Sequence, residues 1–326
     1  MVFLSFHQDA KLSSVARPRY LFAMRVLILG CGYVGLSLGK ELVGLGHEVF
    51  GVRRSAAGAE ELRAAGIKPL VADIARAADL AALPGPFDWV VNTVSSSKGG
   101  VAEYREVYLR GTQNLLEWLQ AAPPRKFVYT SSTSVYGQTD GSQVKESAPT
   151  EPVGETSQLL VETEKLLLAA AREKKFPAVI LRVAGIYGPE RGHLFLQYLR
   201  DEARMHGNGE RLINMIHRED VVGMIIAALQ SGRAGEVYNA VDDEPVTQLT
   251  FFRFLAESTG KPMPPPATEA ESAGRKRGLT QKRVQNRRAK AELGYKFKYP
   301  NFRLGYTAEL IRLEREGKLH LPEPGD

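Results

Sequence analysis

Gly30, Gly32 and Gly35 follow the apolar run Met24–Leu29 and precede the helical pattern Leu36–Leu42. A strand, a glycine turn and a helix in that order make a phosphate cradle for a dinucleotide. Gly30 permits the tight turn. Gly32 puts no side chain in the way of a pyrophosphate, and Gly35 lets the helix pack close to the strand. Tyr33 and Val34 stand at the helix start, where free N–H groups and the helix dipole favour an anion. A glycine turn without a ligand is the plainer alternative.

The end of the second strand bears on which dinucleotide is held. An NAD-preferring strand ends in an acid about 20 residues past the glycines, placed to bond the ribose 2′-OH. This chain has Arg53 and Arg54 there. A guanidinium pairs with a 2′-phosphate through charge-assisted bonds, so NADP is expected, with NAD as the alternative. Both arginines also read as ordinary solvated charges. Asp73, past the third strand, reads as an acceptor for the adenine amino group or as a helix cap. Thr93, Val94 and Ser95 follow the fourth strand at the carboxyl edge, where open sheets bind ligands. They suit contacts to the ribose and phosphates, or a loop cap. Ser131 and Ser132 end the fifth strand on the same edge, and Ser132 is placed to hydrogen-bond a substrate. Arg191, after Gly188-Pro189, has the fork to hold a substrate phosphate.

Alternating short elements must position these residues. Strands are expected at His47–Val52, Lys68–Val71, Phe87–Thr93, Lys126–Ser131, Pro177–Val183 and Glu236–Ala240. Helical patterns lie between them at Ala59–Ala65, Glu103–Ala121 and Gln158–Lys174. This alternation implies an α/β fold, a doubly wound parallel sheet of Rossmann type, with a smaller C-terminal substrate lobe. The expected division is an N-terminal extension 1–23, disordered and ahead of Met24; a dinucleotide-binding domain 24–186, to which 215–241 returns; and a lobe of 187–214 and 242–326.

Composition narrows the class. With 44% hydrophobic and 25% charged residues, the 326-residue chain resembles ordinary globular proteins. Its one cysteine, Cys31, excludes an intramolecular disulfide framework, and no metal site is expected. A reducing, cytoplasmic setting fits. No apolar run reaches the ~18 residues of a membrane span. Arg275–Lys290 holds eight basic residues and no acid. That cluster raises nucleic-acid binding, but aromatic residues are absent within it, so it reads instead as a solvated face near the substrate lobe.

The chain resembles the extended short-chain dehydrogenase/reductases, the group of NAD-dependent epimerases and dehydratases of sugar nucleotides. The resemblance rests on the Gly30–Gly35 turn, Asp73, Gly111–Leu116, Ser131–Gly137, Leu181–Pro189, Ile216–Val221, Val237–Asn239 and Arg283–Asn286. It implies catalysis by a Ser or Thr, a Tyr and a Lys. Ser132 matches the family Ser. Lining up Glu164–Leu167 puts Thr156 where the Tyr belongs and Leu160 where the Lys belongs. Tyr108 occupies the helix position that usually carries an Asn. The cofactor half of the resemblance is therefore intact and the catalytic half is altered. Tyr108, Tyr136, Tyr187, Glu155 and Thr156 stand as candidates for the proton-carrying role. The expected function is an oxidoreductase or epimerase acting on a hydroxylated, nucleotide-linked or free substrate. The alternative is a catalytically silent NADP(H)-binding sensor or scaffold. By resemblance, Glu103–Ala121 and Gln158–Lys174 would pair two copies as a homodimer.

Overall fold

The computed structural model describes residues 23–97, 99–273 and 280–321. The expected disordered extension falls almost wholly outside these residues, as do Arg275, Lys276 and Arg277 of the basic segment.

Five strands begin the fold: β1 (Arg25–Leu29), β2 (Glu48–Arg53), β3 (Lys68–Val71), β4 (Trp89–Asn92) and β5 (Lys126–Ser132). Strands Ala178–Val183 and Val237–Ala240 complete a seven-stranded sheet. From one edge to the other its order is Val237–Ala240, Ala178–Val183, β5, β4, β1, β2, β3, and every pairing is parallel. The chain winds outward in both directions from β1 and β4, which creates a crevice at their carboxyl ends.

Residues of β1 alternate between two cores. Val26 and Ile28 pack in one, Leu27 and Leu29 in the other. A strand covered on both faces needs apolar side chains at every position, which is why β1 reads as a continuous apolar run. The expected strands match the observed ones to within two residues at each end.

Helices α1 (Tyr33–Gly44), α2 (Ala59–Ala64) and α3 (Ala77–Ala81) connect the first strands. The single helix expected over Glu103–Ala121 is interrupted. It consists of α4 (Val101–Tyr104), a π-helical turn at Arg105–Arg110, and α5 (Gly111–Leu119). Such widened turns occur mostly inside α-helices and often at functional sites. Helix α6 (Glu155–Lys174) begins three residues earlier than its apolar pattern suggests.

A third core joins segments from both sides of the 215–241 return. Phe195, Phe251, Phe252, Phe302 and Tyr306 bury against one another there, contributed by helices His193–Leu199, Gln248–Thr259 and Phe302–Arg315. The return itself supplies helix Arg218–Ser231 and the edge strand Val237–Ala240.

A buried polar chain ties α6 to the sheet. Arg182 Nη2 lies 2.7 Å from Glu164 Oε2, with the two side chains only 6% and 2% exposed. Arg182 Nε donates to both Glu164 oxygens at 3.1 Å, and Ser131 Oγ donates to Oε1 at 2.6 Å. Arg182 Nη1 donates to the Tyr136 hydroxyl at 2.8 Å, which in turn donates to Asn239 Oδ1 at 2.8 Å. Removing one partner strands a buried charge. Glu164→Ala should therefore lower unfolding free energy by about 3–5 kcal/mol. Adding Arg182→Met should recover part of that loss, as read by urea denaturation of both variants.

Candidate active site

The glycine turn is built by close backbone contact. Gly30 has φ +77°, and a Cβ there would lie 2.6 Å from Val94 Cα. Backbone cannot yield to that contact, so only glycine fits. At Gly35 a Cβ would sit 2.8 Å from the Gly30 carbonyl oxygen. At Gly32 the nearest atom would be 3.9 Å away, leaving open space where a pyrophosphate would lie. Thr93 Oγ1 clamps the turn from β4, donating toward Leu29 O at 3.1 Å and Gly30 O at 3.0 Å. Helix α1 has no acid in its first turn. Gly30, Gly32, Tyr33, Val34, Thr93, Val94 and Ser95 line one cleft of about 770 Å³. The backbone cradle and the vacant side of Gly32 fit a dinucleotide. Cys31 contributes to packing: its thiol is buried and is pushed up to about 12 by desolvation, despite the nearby Arg53.

Arg53, Arg54 and Asp73 line the same cleft, but the two arginines differ. Arg53 Nε donates to the Cys31 carbonyl at 2.7 Å, and Nη2 pairs with Glu61 at 2.8 Å. It braces the turn. Arg54 donates to Ser97 Oγ at 2.9 Å. Asp73 Oδ1 accepts from the Ala75 N–H at 3.0 Å, a local turn bond.

Across the cleft stand Ser131, Ser132, Ser134, Tyr104, Tyr108 and Leu160. Ser132 ends β5, and its Oγ accepts from the Ser134 N–H at 3.1 Å. Tyr108 sits in the π-helical turn and accepts from the Ser96 N–H at 3.1 Å. Its ring lies 4.8 Å from that of Tyr104. Burial is the main reason the Tyr108 hydroxyl is pushed up to about 12, with the Ser96 N–H opposing. Leu160 places an apolar wall beside these hydroxyls.

Three expected candidates, Tyr136, Glu155 and Thr156, fall outside the cleft lining. Tyr136 is fully buried in the Arg182 network and does not line the cleft. Thr156, in the first turn of α6, does not line it either. Tyr136 is committed to internal bonds, and Thr156 precedes the stretch of α6 that reaches the cleft at Leu160. Sequence reasoning passed over Tyr104, although its spacing of four from Tyr108 puts both on one helical face.

Over residues 26–240 the chain matches the NAD dependent epimerase/dehydratase family. It belongs to that family. Escherichia coli protein YeeZ is 31% identical over 290 residues, covering 85% of this chain and 97% of YeeZ. Human dTDP-D-glucose 4,6-dehydratase is 29% identical over 144 residues, covering 42% of this chain and 41% of that protein. The structure of DesIV, a dTDP-glucose 4,6-dehydratase from Streptomyces venezuelae solved with NAD bound, aligns with a TM-score of 0.78 at 23% identity. That alignment covers 90% of this chain and 98% of DesIV and bears on the fold alone.

In this epimerase/dehydratase family member, Arg191 reaches the cleft from the segment after Gly188. Its guanidinium sits 4.9 Å from the centre of the Tyr33 ring, as does that of Arg218 on the other approach. The Tyr33 hydroxyl donates to Pro189 O at 2.9 Å. His217 caps its helix by accepting from the Glu219 N–H at 3.2 Å, and Asp220 accepts from Tyr295 at 2.8 Å. Among the described residues no helix is long and apolar enough to cross a membrane, and no cluster fits a metal ion.

Over its described part the basic face is exposed at Arg283, Arg287 and Lys290, but not throughout. Arg288 pairs with Glu236 and Glu292, Lys290 with Asp243, and Lys282 is buried. Lys282 Nζ donates to Tyr136 O at 2.6 Å and to Thr280 Oγ1 at 3.0 Å. Desolvation pulls its pKa down to about 8. Between that value and the ordinary lysine range, the folded protein has shed this proton while the unfolded chain keeps it, so folding gains stability as pH rises. Wild-type protein should therefore gain about 2–3 kcal/mol relative to Lys282→Met between pH 7 and 10, measured by urea denaturation across that range.

Proposed function

We propose that this protein is an NADP(H)-dependent oxidoreductase acting at a hydroxyl-bearing or carbonyl carbon of a small molecule, with a nucleotide-linked sugar as one candidate. The observation that carries the reading is one cleft lined by the glycine turn, by Ser132 and by Tyr108. Family membership supports it, and one relative named above, the human protein, is a dTDP-D-glucose 4,6-dehydratase. When bound, the nicotinamide supplies or accepts a hydride.

The chain's own residues do the rest. Ser132 donates its hydroxyl proton to the substrate oxygen and orients it. Tyr108 keeps its proton at neutral pH, because burial outweighs the Ser96 N–H that would favour the phenolate. A neutral phenol beside an apolar wall is suited to donating a proton to an oxygen that becomes a hydroxyl. That favours reduction of a carbonyl over oxidation of an alcohol at neutral pH. Arg191 stands at the mouth, where an anionic group of the substrate would meet its guanidinium.

Leu160 favours a second reading. Among the described residues that line the cleft there is no lysine to generate a phenolate, as expected of a protein that binds the cofactor as a sensor. Turnover separates the two. Purified protein would be supplied with NADPH and a panel of carbonyl compounds including dTDP-4-keto sugars, with absorbance followed at the reduced-cofactor band. Consumption of NADPH that falls about 10²–10⁴-fold in Tyr108→Phe, with cofactor affinity retained, supports the enzyme and its acid. Tight NADPH binding with no turnover across the panel supports the sensor.

A further inference from the structure

The two arginines at the end of β2 do not share one task. Arg53 is spent on the fold. It holds the Cys31 carbonyl at 2.7 Å, the Gly58 carbonyl at 3.3 Å and Glu61 at 2.8 Å, with its side chain 22% exposed. Arg54 is 52% exposed and makes one hydrogen bond, to Ser97 Oγ. Its Nη1 lies 3.9 Å from Glu103 Oε1, beyond hydrogen-bond reach but within reach of the charge. A guanidinium carries five N–H donors, so most of those on Arg54 remain for a ligand.

Glu103 is held independently of Arg54. It accepts from Ser96 Oγ, from the Ser97 N–H at 3.2 Å, from Ser97 Oγ at 3.1 Å and from the Gly99 N–H at 2.8 Å. Its side chain is 18% exposed. Four donors fix the carboxylate in place. Ser97 thus steadies Arg54 at the mouth of the cleft, while Glu103 partly offsets its charge.

We infer that Arg54 alone reads the 2′-phosphate of the cofactor, and that Glu103 sets how strongly it does so. Arg53 serves both dinucleotides equally, through the turn it braces. The inference rests on the cofactor reading proposed above and gives a residue on α4, remote in sequence from the glycine turn, a part in tuning the selectivity that Arg54 confers. A dianionic phosphate within reach of Arg54 feels attraction to the guanidinium and repulsion from Glu103. NAD carries no phosphate there and is indifferent to both.

Calorimetric titration of the full chain with NADPH and with NADH tests this, using wild type, Arg53→Gln, Arg54→Gln, Glu103→Gln and the double variant R54Q/E103Q. Thermal unfolding of each variant controls for folding. Arg54→Gln is expected to weaken NADPH about tenfold or more and to leave NADH within about twofold. Arg53→Gln is expected to weaken both dinucleotides alike. Glu103→Gln is expected to tighten NADPH about two- to fivefold, and to do nothing for it once Arg54 is gone. Should E103Q prove unfolded, Arg54→Glu takes its place, and is expected to weaken NADPH further than R54Q does while sparing NADH. NADPH binding that is insensitive to Arg54→Gln, or a Glu103→Gln effect equal in both backgrounds or equal for both cofactors, overturns the inference alone. Failure of wild-type protein to bind either dinucleotide overturns the proposed function and the inference together.

Discussion

The buried pair Arg182–Glu164 is the interaction on which the cleft depends. It joins a central strand to α6, and each of its ends carries further polar groups. Glu164 accepts from Ser131, the residue beside Ser132, while Arg182 fixes Tyr136 and donates to the Glu146 carbonyl at 3.1 Å. Two ions removed from water are tolerated only when their remaining donors and acceptors are met. Here the carboxylate receives three donor atoms and the guanidinium meets four acceptor atoms. The strand ends that face the cleft are set by that requirement, as is the depth at which α6 lies. Leu160 reaches the cleft because Glu164, one turn further along, is anchored beneath it.

The same anchoring explains how catalytic polarity can change without loss of the fold. An ammonium at the Leu160 position would compensate no buried carboxylate, because Glu164 is already neutralised by Arg182. A leucine there leaves no unpaired charge inside and extends the apolar packing of α6. On the opposite wall the π-helical turn holds Tyr108, whose hydroxyl accepts from the Ser96 N–H.

How far the sequence is legible depends on how local each cause is. The strands of the sheet follow from short-range apolar runs, and the glycine turn from three residues in a fixed spacing. Ser131 and Ser132 were readable because the end of a parallel strand is also the ligand edge. The misread residues have partners far away in the chain. Tyr136 looked free because Asn239 and Arg182, its partners, are 103 and 46 residues distant. Lys282 looked like one charge among many, yet it is buried against a carbonyl 146 residues away. Arg53 lines the cleft as read, but its second task was hidden, since the carbonyl it holds belongs to the neighbouring strand's turn. The π-helical turn left no signature in a helical pattern, because one extra residue per turn shifts the apolar periodicity only slightly.

Tyr33 carries a consequence of a different kind. It starts the helix of the glycine turn, yet its ring meets the guanidinium groups of Arg191 and Arg218 and its hydroxyl donates to Pro189 O, all from the second half of the chain. Whatever displaces that ring on one side must be felt by the 188–192 segment on the other. A ligand at the turn that shifts this ring would be thermodynamically linked to one near Arg191. The coupling free energy is the same whichever ligand arrives first. An affinity measured with one compartment empty describes a different equilibrium from the one that governs the filled molecule.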